Sequence, residues 1–297
     1  MVGAKALTLI GLLAVSPSLF AAGNDEPCKD GCSWEATSLD AARELIISHI
    51  PREHQLQVSE QLQQKSPEFS FLAAKLIQRV YALCYEEAVY QRDPVVAGRI
   101  LAGLAAVPEK SYGDFQQFFE SQFRTGYSRS GASWLIRAMG ELPPAHYAQV
   151  GQHLAFLMKT GCDTSQALIV ERGSAKAQLF AGFVEIKNLA DIPAVVSAVL
   201  RYTTPTLSFS HRAGLLKSFA RVPCAQHESF MIELAPLMEK ISNENDRCWS
   251  IKFLTIKYQS GKLSIFELKE LVAELGTLYE KTRTTPYAYI KELEKRW

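Results

Sequence analysis

Four segments of this chain end in the same way, and that recurrence constrains the fold more than any other feature. They are Ile100-Leu101…Leu104…Val107-Pro108, Leu135-Ile136…Met139…Leu142-Pro143, Leu179-Phe180…Phe183…Ile186-Lys187 and Leu215-Leu216…Phe219…Val222-Pro223. Counted back from the last-named residue, apolar side chains stand at −8, −7, −4 and −1, which is one face of an α-helix. Position −3 is small in three copies (Ala105, Gly140, Ala220) and Val184 in the other, so a neighbouring element has room to approach there. A second helix is expected after each ending. Phe115/Phe119, Val150/Leu154 and Phe230/Leu234 lie at +7 and +11 from their prolines. Val58/Leu62 hold the same places after Pro51, which Ile47 and Ile50 precede. Proline disfavours helical geometry in the residue before it, so the first helix stops, and it suits the first turn of the second helix.

Pro108 and Pro143 are 35 residues apart, and Pro223 follows Pro143 by 80, two units through Lys187. No segment alternates apolar and polar residues for long, so strands are not expected. Two helices per repeat of about 35–44 residues predict an all-α fold, a right-handed α-solenoid of antiparallel helix hairpins. The competing architecture is a globular helical bundle. Ser66-Pro67-Glu68 is expected to start a long helix reaching about Gln91, and Asp93-Pro94 the next. Residues 203 to 210 read as a loop, with Ser208 or Ser210 capping the helix after it. The unit from Cys248 to Leu278 reads as a helical cap that loses the repeat pattern.

In organisation the chain resembles the helical-hairpin α-solenoids of the HEAT and TPR kind over residues 39 to 280. The TPR signature of Trp, Gly and Tyr is absent at the required offsets, so the resemblance is architectural and transfers no binding residue. It implies a curved surface used to bind other macromolecules.

The domain organisation expected is a signal peptide over 1–22, an exposed N-terminal segment over 23–35, a helical-repeat domain over 36–280, and a charged tail or short helix over 281–297. Lys5 is the only charge in the first 22 residues; Ala6 to Phe20 are mostly apolar, broken by Ser16-Pro17-Ser18 and followed by Ala21-Ala22-Gly23. A basic start, a short apolar core, a breaker and small residues describe a secretory leader, cleaved between Ala21 and Gly23. The run is too short for a membrane span, which takes about 20 residues, so no integral membrane segment is expected after cleavage. The protein is therefore expected in the periplasm or outside the cell. An uncleaved anchor is the alternative.

Six cysteines in an exported chain permit disulfides without making a disulfide scaffold. Cys28 and Cys32 are the candidate pair, because Asp30-Gly31 supplies a turn between them. No second Cys or His pair completes a metal site with them. Cys84 reads as a buried small hydrophobe, whereas partners for Cys162, Cys224 and Cys248 are not specified.

The chemistry of the common enzymes is not written locally. His227-Glu228 opens like a zinc-protease helix, but Met231 occupies the second histidine's place. Gly126 to Gly131 is one residue too long for a nucleophile elbow, Gly261-Lys262 lacks the rest of a phosphate loop, and Ser250 to Lys252 is one short of S-x-x-K. His54 and His146 stand three residues after a repeat proline and His227 four after, which suggests a recurring structural position rather than a ligand set. His146 and His153 share a helix face without a third ligand, and His49 and His211 have no interpretable neighbours. Glu86, Glu87, Glu109, Glu141, Glu185 and Glu233 would supply an acid and a base only if one groove gathered them; scattered on amphipathic helices they read as solvated faces. Phe115, Phe118, Phe119, Phe123 and Tyr127 are denser than one buried stripe needs; core packing is the default reading, and an exposed remainder would make a contact patch.

Charge excludes a further class. There are 32 basic and 31 acidic residues, and removal of Lys5 with the leader leaves a net charge of zero. That is no footprint for nucleic acid. In the tail Lys281, Arg283, Lys291, Lys295 and Arg296 are nearly cancelled by Glu280, Glu292 and Glu294, so a membrane-binding face is not expected. The function expected is that of an exported, non-enzymatic helical-repeat protein binding a protein partner, without cofactor or metal. The alternative is an exported all-α enzyme, for example a carbohydrate-active hydrolase or lyase, using glutamates brought together across repeats.

Overall fold

A computed structural model of the chain describes residues 37–84, 95–123, 127–159, 166–202, 209–259 and 264–282. The expected leader, Cys28, Cys32, Cys162, Glu86, Glu87, Asp93-Pro94, Gly261-Lys262 and the tail beyond Thr282 lie outside them. Among the described residues the protein is all-α, with thirteen α-helices, four short 3-10 turns and no strand. None of these helices is long and apolar enough to cross a membrane.

The helices are α1 (Leu39–Ser48), α2 (Arg52–Gln63), α3 (Pro67–Leu83), α4 (Val96–Ala106), α5 (Tyr112–Gln122), α6 (Arg129–Gly140) and α7 (Tyr147–Lys159). They continue as α8 (Gln166–Phe183), α9 (Ile192–Tyr202), α10 (Phe209–Ala220), α11 (His227–Lys240), α12 (Glu244–Gln259) and α13 (Ile265–Thr282). Short polar side chains start several of them. Ser38, Ser66 and Ser128 accept the amides of Ala41, Phe69 and Gly131, satisfying donors that a helix N-terminus leaves open. Ser264 and Glu267 bond each other's amides as a reciprocal box at the head of α13. Helix α3 ends at Leu83 rather than near Gln91, because Cys84 turns to an extended backbone (ψ 143°). Helix α10 begins at Phe209, which places Ser210 inside it.

The repeated ending proves to be one repeated corner. The amide at −1 bonds the carbonyl at −4, in Val107 to Leu104 (3.1 Å), Leu142 to Met139 (3.1 Å), Ile186 to Phe183 (3.0 Å) and Val222 to Phe219 (3.1 Å). Next comes an extended residue, with ψ between 131° and 137° at Pro108, Pro143 and Pro223. A single 3-10 turn then leads into the second helix. The prolines thus stand just before that turn, not in the first turn of the helix as expected. Only at Pro51 does the proline cap the second helix directly.

The third copy corrects the sequence register. Lys187 is an inserted, exposed residue, and Asn188 holds the corner place, its Oδ1 accepting the amide of Ala190 at 3.2 Å. Counted from Asn188, Val195 and Val199 fall at +7 and +11, and both are buried. Every predicted core position of the four first helices is buried, none more than 4% exposed. A fifth copy escapes the proline pattern. Ser250, Ile251 and Leu254 of α12 occupy −8, −7 and −4 counted from Tyr258, 35 residues after Pro223, and all are fully buried. Thr255, also fully buried, sits at the small position. With Tyr258 where the others have proline, α12 runs on to Gln259.

The contacts divide the chain into two compact units, residues 37–148 with 166–180, and residues 149–159 with 181–282. Within the first unit α4 lies along α6, and α1 along α3. Within the second, α9 packs on α11, α10 on α12, and α11 on α13. First helices therefore meet first helices, and second helices meet second helices. The closest approach is between α4 and α6 at the small position. A Cβ added to Gly140 would overlap the Gly103 carbonyl oxygen and stand 2.6 Å from its carbon; one added to Gly103 would stand 2.7 Å from the Arg137 Cα.

Candidate functional site

Of the histidines tied to the corner, His227 holds the corner itself. Nε2 of His227 lies 3.0 Å from the Phe219 carbonyl and 2.9 Å from that of Val222, so it carries the proton and donates to both. Gln55 does the same in the first hairpin, its Nε2 reaching the Ile47 and Ile50 carbonyls at 3.2 and 2.9 Å. Both residues stand at +4, and each donates to the −1 carbonyl at the end of the preceding helix and gives a second donor to the −4 carbonyl, which already accepts the −1 amide. The +3 histidines are therefore not in the same place as His227. His146 is buried, with its pKa lowered by that burial and its Nδ1 without a hydrogen-bond partner. His153, one face further along α7, is lowered for the same reason. His49 takes the Leu45 carbonyl at 2.9 Å and rests 4.2 Å from the Tyr81 ring.

The other candidates among the described residues stand apart from one another. Among the described residues no three His, Cys, Asp or Glu side chains are grouped to hold a metal. Glu141 pairs with Arg137 (3.5 Å) and Glu185 with Arg221 (3.8 Å), both at the surface. Glu109 and Glu233 stand on a corner and on α11, and no described interaction gathers these carboxylates. Cys84 is a buried thiol, which pushes its pKa up to about 12. Cys224 is raised to about 11 by burial, then by the hydrogen bond and negative charge of Asp191. The aromatic run offers no contact patch, because Phe115, Phe118, Phe119, Phe123 and Tyr127 are all buried. Phe118 stacks on Tyr147 at 4.5 Å and meets Phe180 edge-on at 5.6 Å.

What the hairpins do present outward is a repeated aromatic–cation position. Trp134 of α6 and Trp249 of α12 both stand at −9, directly before the buried stripe, and are 42% and 38% exposed. Each has a cation three residues on, one helical turn away. The Arg137 guanidinium lies 5.4 Å from the Trp134 ring centroid, and the Lys252 ammonium 4.8 Å from that of Trp249. In the first unit Arg99, at −9 of its own helix α4, places its guanidinium 4.4 Å from the same Trp134 ring. Its Nη1 donates to the hydroxyls of Ser130 and Ser133, both at 3.4 Å. Comparison with known proteins finds no matching family, no matching characterised protein and no matching solved structure. The site therefore rests on its own geometry.

Sequence reasoning missed this position. Its signal was legible as the recurrence of Trp-x-Ile-Arg at 134–137 and Trp-x-Ile-Lys at 249–252, but only burial of the flanking residues distinguishes an outward Trp from a core one. Several helices carry charge of one sign only or mainly. Helices α4 and α6 carry Arg99, Arg129 and Arg137 and no carboxylate, whereas α5, in the same unit, carries Asp114 and Glu120 and no cation. In the second unit α10 carries Arg212 and Lys217 without a carboxylate, while acids outnumber cations in both α11 and α13. The net neutrality of the chain conceals that polarity.

Proposed function

We propose that this is an exported, non-enzymatic helical-repeat protein whose hairpins form a right-handed α-solenoid and present a surface that binds a protein partner. The observation that carries the reading is the pair of outward tryptophans, held with an adjacent cation at one repeat position in each unit. A Trp side chain left nearly half exposed forgoes much of the ~1.5–3 kcal/mol that burying a large apolar side chain yields. Trp and Arg are also the residues that dominate binding hot spots. The packing of first helices on first helices, and of second on second, within each unit supports the solenoid. The leader-like sequence of residues 1–22 supports export to the periplasm or beyond.

Affinity capture of the protein from its native compartment, followed by mass spectrometry, tests the reading. Reproducible enrichment of a protein supports it. Failure to enrich any macromolecule, together with turnover of a small substrate, sinks it in favour of an enzyme. N-terminal sequencing of the exported protein should begin between residues 22 and 24.

A further inference from the structure

We infer that the ridge formed by Trp134 and Arg137 of α6, with Arg99 of α4 against the same indole, recognises a carboxylate-rich segment of a protein partner. This rests on the reading of the chain as a protein binder and names the chemistry of what is bound. Guanidinium groups 4.4 and 5.4 Å from one ring centroid are held in orientation before any ligand arrives. The two serine hydroxyls fix Arg99 further. A preorganised planar fork is the donor geometry that suits a carboxylate, and it gives up little side-chain entropy on binding.

The ridge already shows how a carboxylate binds it. Glu141 Oε1 lies 3.5 Å from Arg137 Nε, in an i,i+4 pair that is 29% and 45% exposed. Such a surface pair contributes little to stability, on the order of 0–1 kcal/mol, and yields easily to a better-placed acid. Glu141 is thus an internal stand-in for the partner's side chain. Helices α4 and α6 contain no carboxylate of their own, so an acidic side chain reaching this ridge meets guanidinium groups. The exposed indole supplies apolar area that a peptide's side chains use and a phosphate or sulfate chain does not.

Fluorescence anisotropy of the whole protein with a labelled peptide of alternating glutamate and leucine tests this, with labelled heparin oligosaccharide and phosphatidylglycerol vesicles as competing probes. The peptide should bind saturably. Arg137→Glu and Trp134→Ala should each weaken it about tenfold or more, and Glu141→Gln, which removes the internal competitor, should tighten it severalfold. Lys269→Glu on α13 should leave it unchanged. Unchanged melting temperatures establish that the variants fold, and the gain in Glu141→Gln does not depend on a loss of structure. Peptide binding that ignores Arg137→Glu and Trp134→Ala, or that weakens in Glu141→Gln, overturns the proposal. So does tighter, Arg137-dependent binding of heparin or vesicles, which assigns the ridge to a glycan or a membrane. A captured protein partner whose binding is indifferent to Arg137→Glu overturns the ridge while leaving the protein-binding reading intact.

Discussion

Replacing Gly140 by alanine separates two effects that usually travel together. In an exposed helix, alanine for glycine is favourable by about 1 kcal/mol. At Gly140 the added Cβ would overlap the backbone carbonyl of Gly103, and its other near neighbours are the carbonyl carbon and Cα of that residue. No rotamer relieves a clash with backbone, so α4 and α6 must move apart, loosening the contact lined by Ile100, Leu104, Ile136 and Met139, all fully buried. Overpacking of this kind costs about 3 kcal/mol at the upper end of its usual range. Less the propensity gain, Gly140→Ala should destabilise by ~2 kcal/mol, which lowers Tm by roughly 4–8 °C for a unit of this size. Gly214 is the control. It lies inside α10 with nothing within 4 Å of its would-be Cβ, so Gly214→Ala should raise Tm by roughly 2–4 °C. Thermal melts followed by circular dichroism compare the two directly. If Gly140→Ala melts at or above the parent temperature, the close approach of α4 and α6 is wrong, and with it the role assigned to the small position.

The corner and its histidines give two more expected outcomes. His227→Ala removes the Nε2 donor shared by the Phe219 and Val222 carbonyls, the first of which keeps its bond from the Val222 amide, and should cost about 1–3 kcal/mol, whereas His227→Gln should recover most of it, since Gln55 bonds the equivalent carbonyls; equal melts for the two variants would exclude the capping role. His146 and His153 are held below their ordinary pKa by burial, so the unfolded chain binds protons more readily than the folded one as pH falls through about 6.5. The stability they contribute is present above that pH and lost below it. Tm should therefore drop between pH 7 and 5, and the drop should shrink in His146→Gln/His153→Gln; an unaltered slope would show that other groups set it.

How much of this was legible depended on whether a single residue type did a single job. The apolar stripe was, because a helix face reads at fixed spacing and proline marks its end: Ile100 through Val222 were placed in the core from sequence alone. Register failed where another residue replaced proline. At Asn188 an amide side chain makes the turn after a one-residue insertion, and at Tyr258 no proline ends the helix, so the fifth copy reads from sequence as a helical cap without the repeat pattern although Ser250 and Thr255 sit in its core. The capping place at +4 was obscure for a related reason, since glutamine and histidine present the same donor from different side chains. In the aromatic run at Phe115 to Tyr127 the default of core packing holds and no remainder is left for a contact patch, because Tyr147 and Phe180 reach Phe118 from elsewhere in the chain.

The candidate site was hidden by averaging. A net charge near zero excludes a long-range field around the molecule as a whole, but attraction to a partner is felt over about 8 Å at physiological ionic strength. At that range what matters is which helix carries which sign. In the first unit α4 and α6 carry only cations and α5 only acids, so their charges largely cancel in composition while each of these helices keeps one sign. Arg99 and Arg137 both lie against Trp134, the most exposed described tryptophan of the chain, on helices that carry no acid. A local pair of guanidinium groups on one indole, within a chain of near-zero net charge, is therefore better suited to discriminating among protein surfaces than to gathering polyanions, which is the selectivity that the Glu–Leu peptide and the heparin probe set against each other.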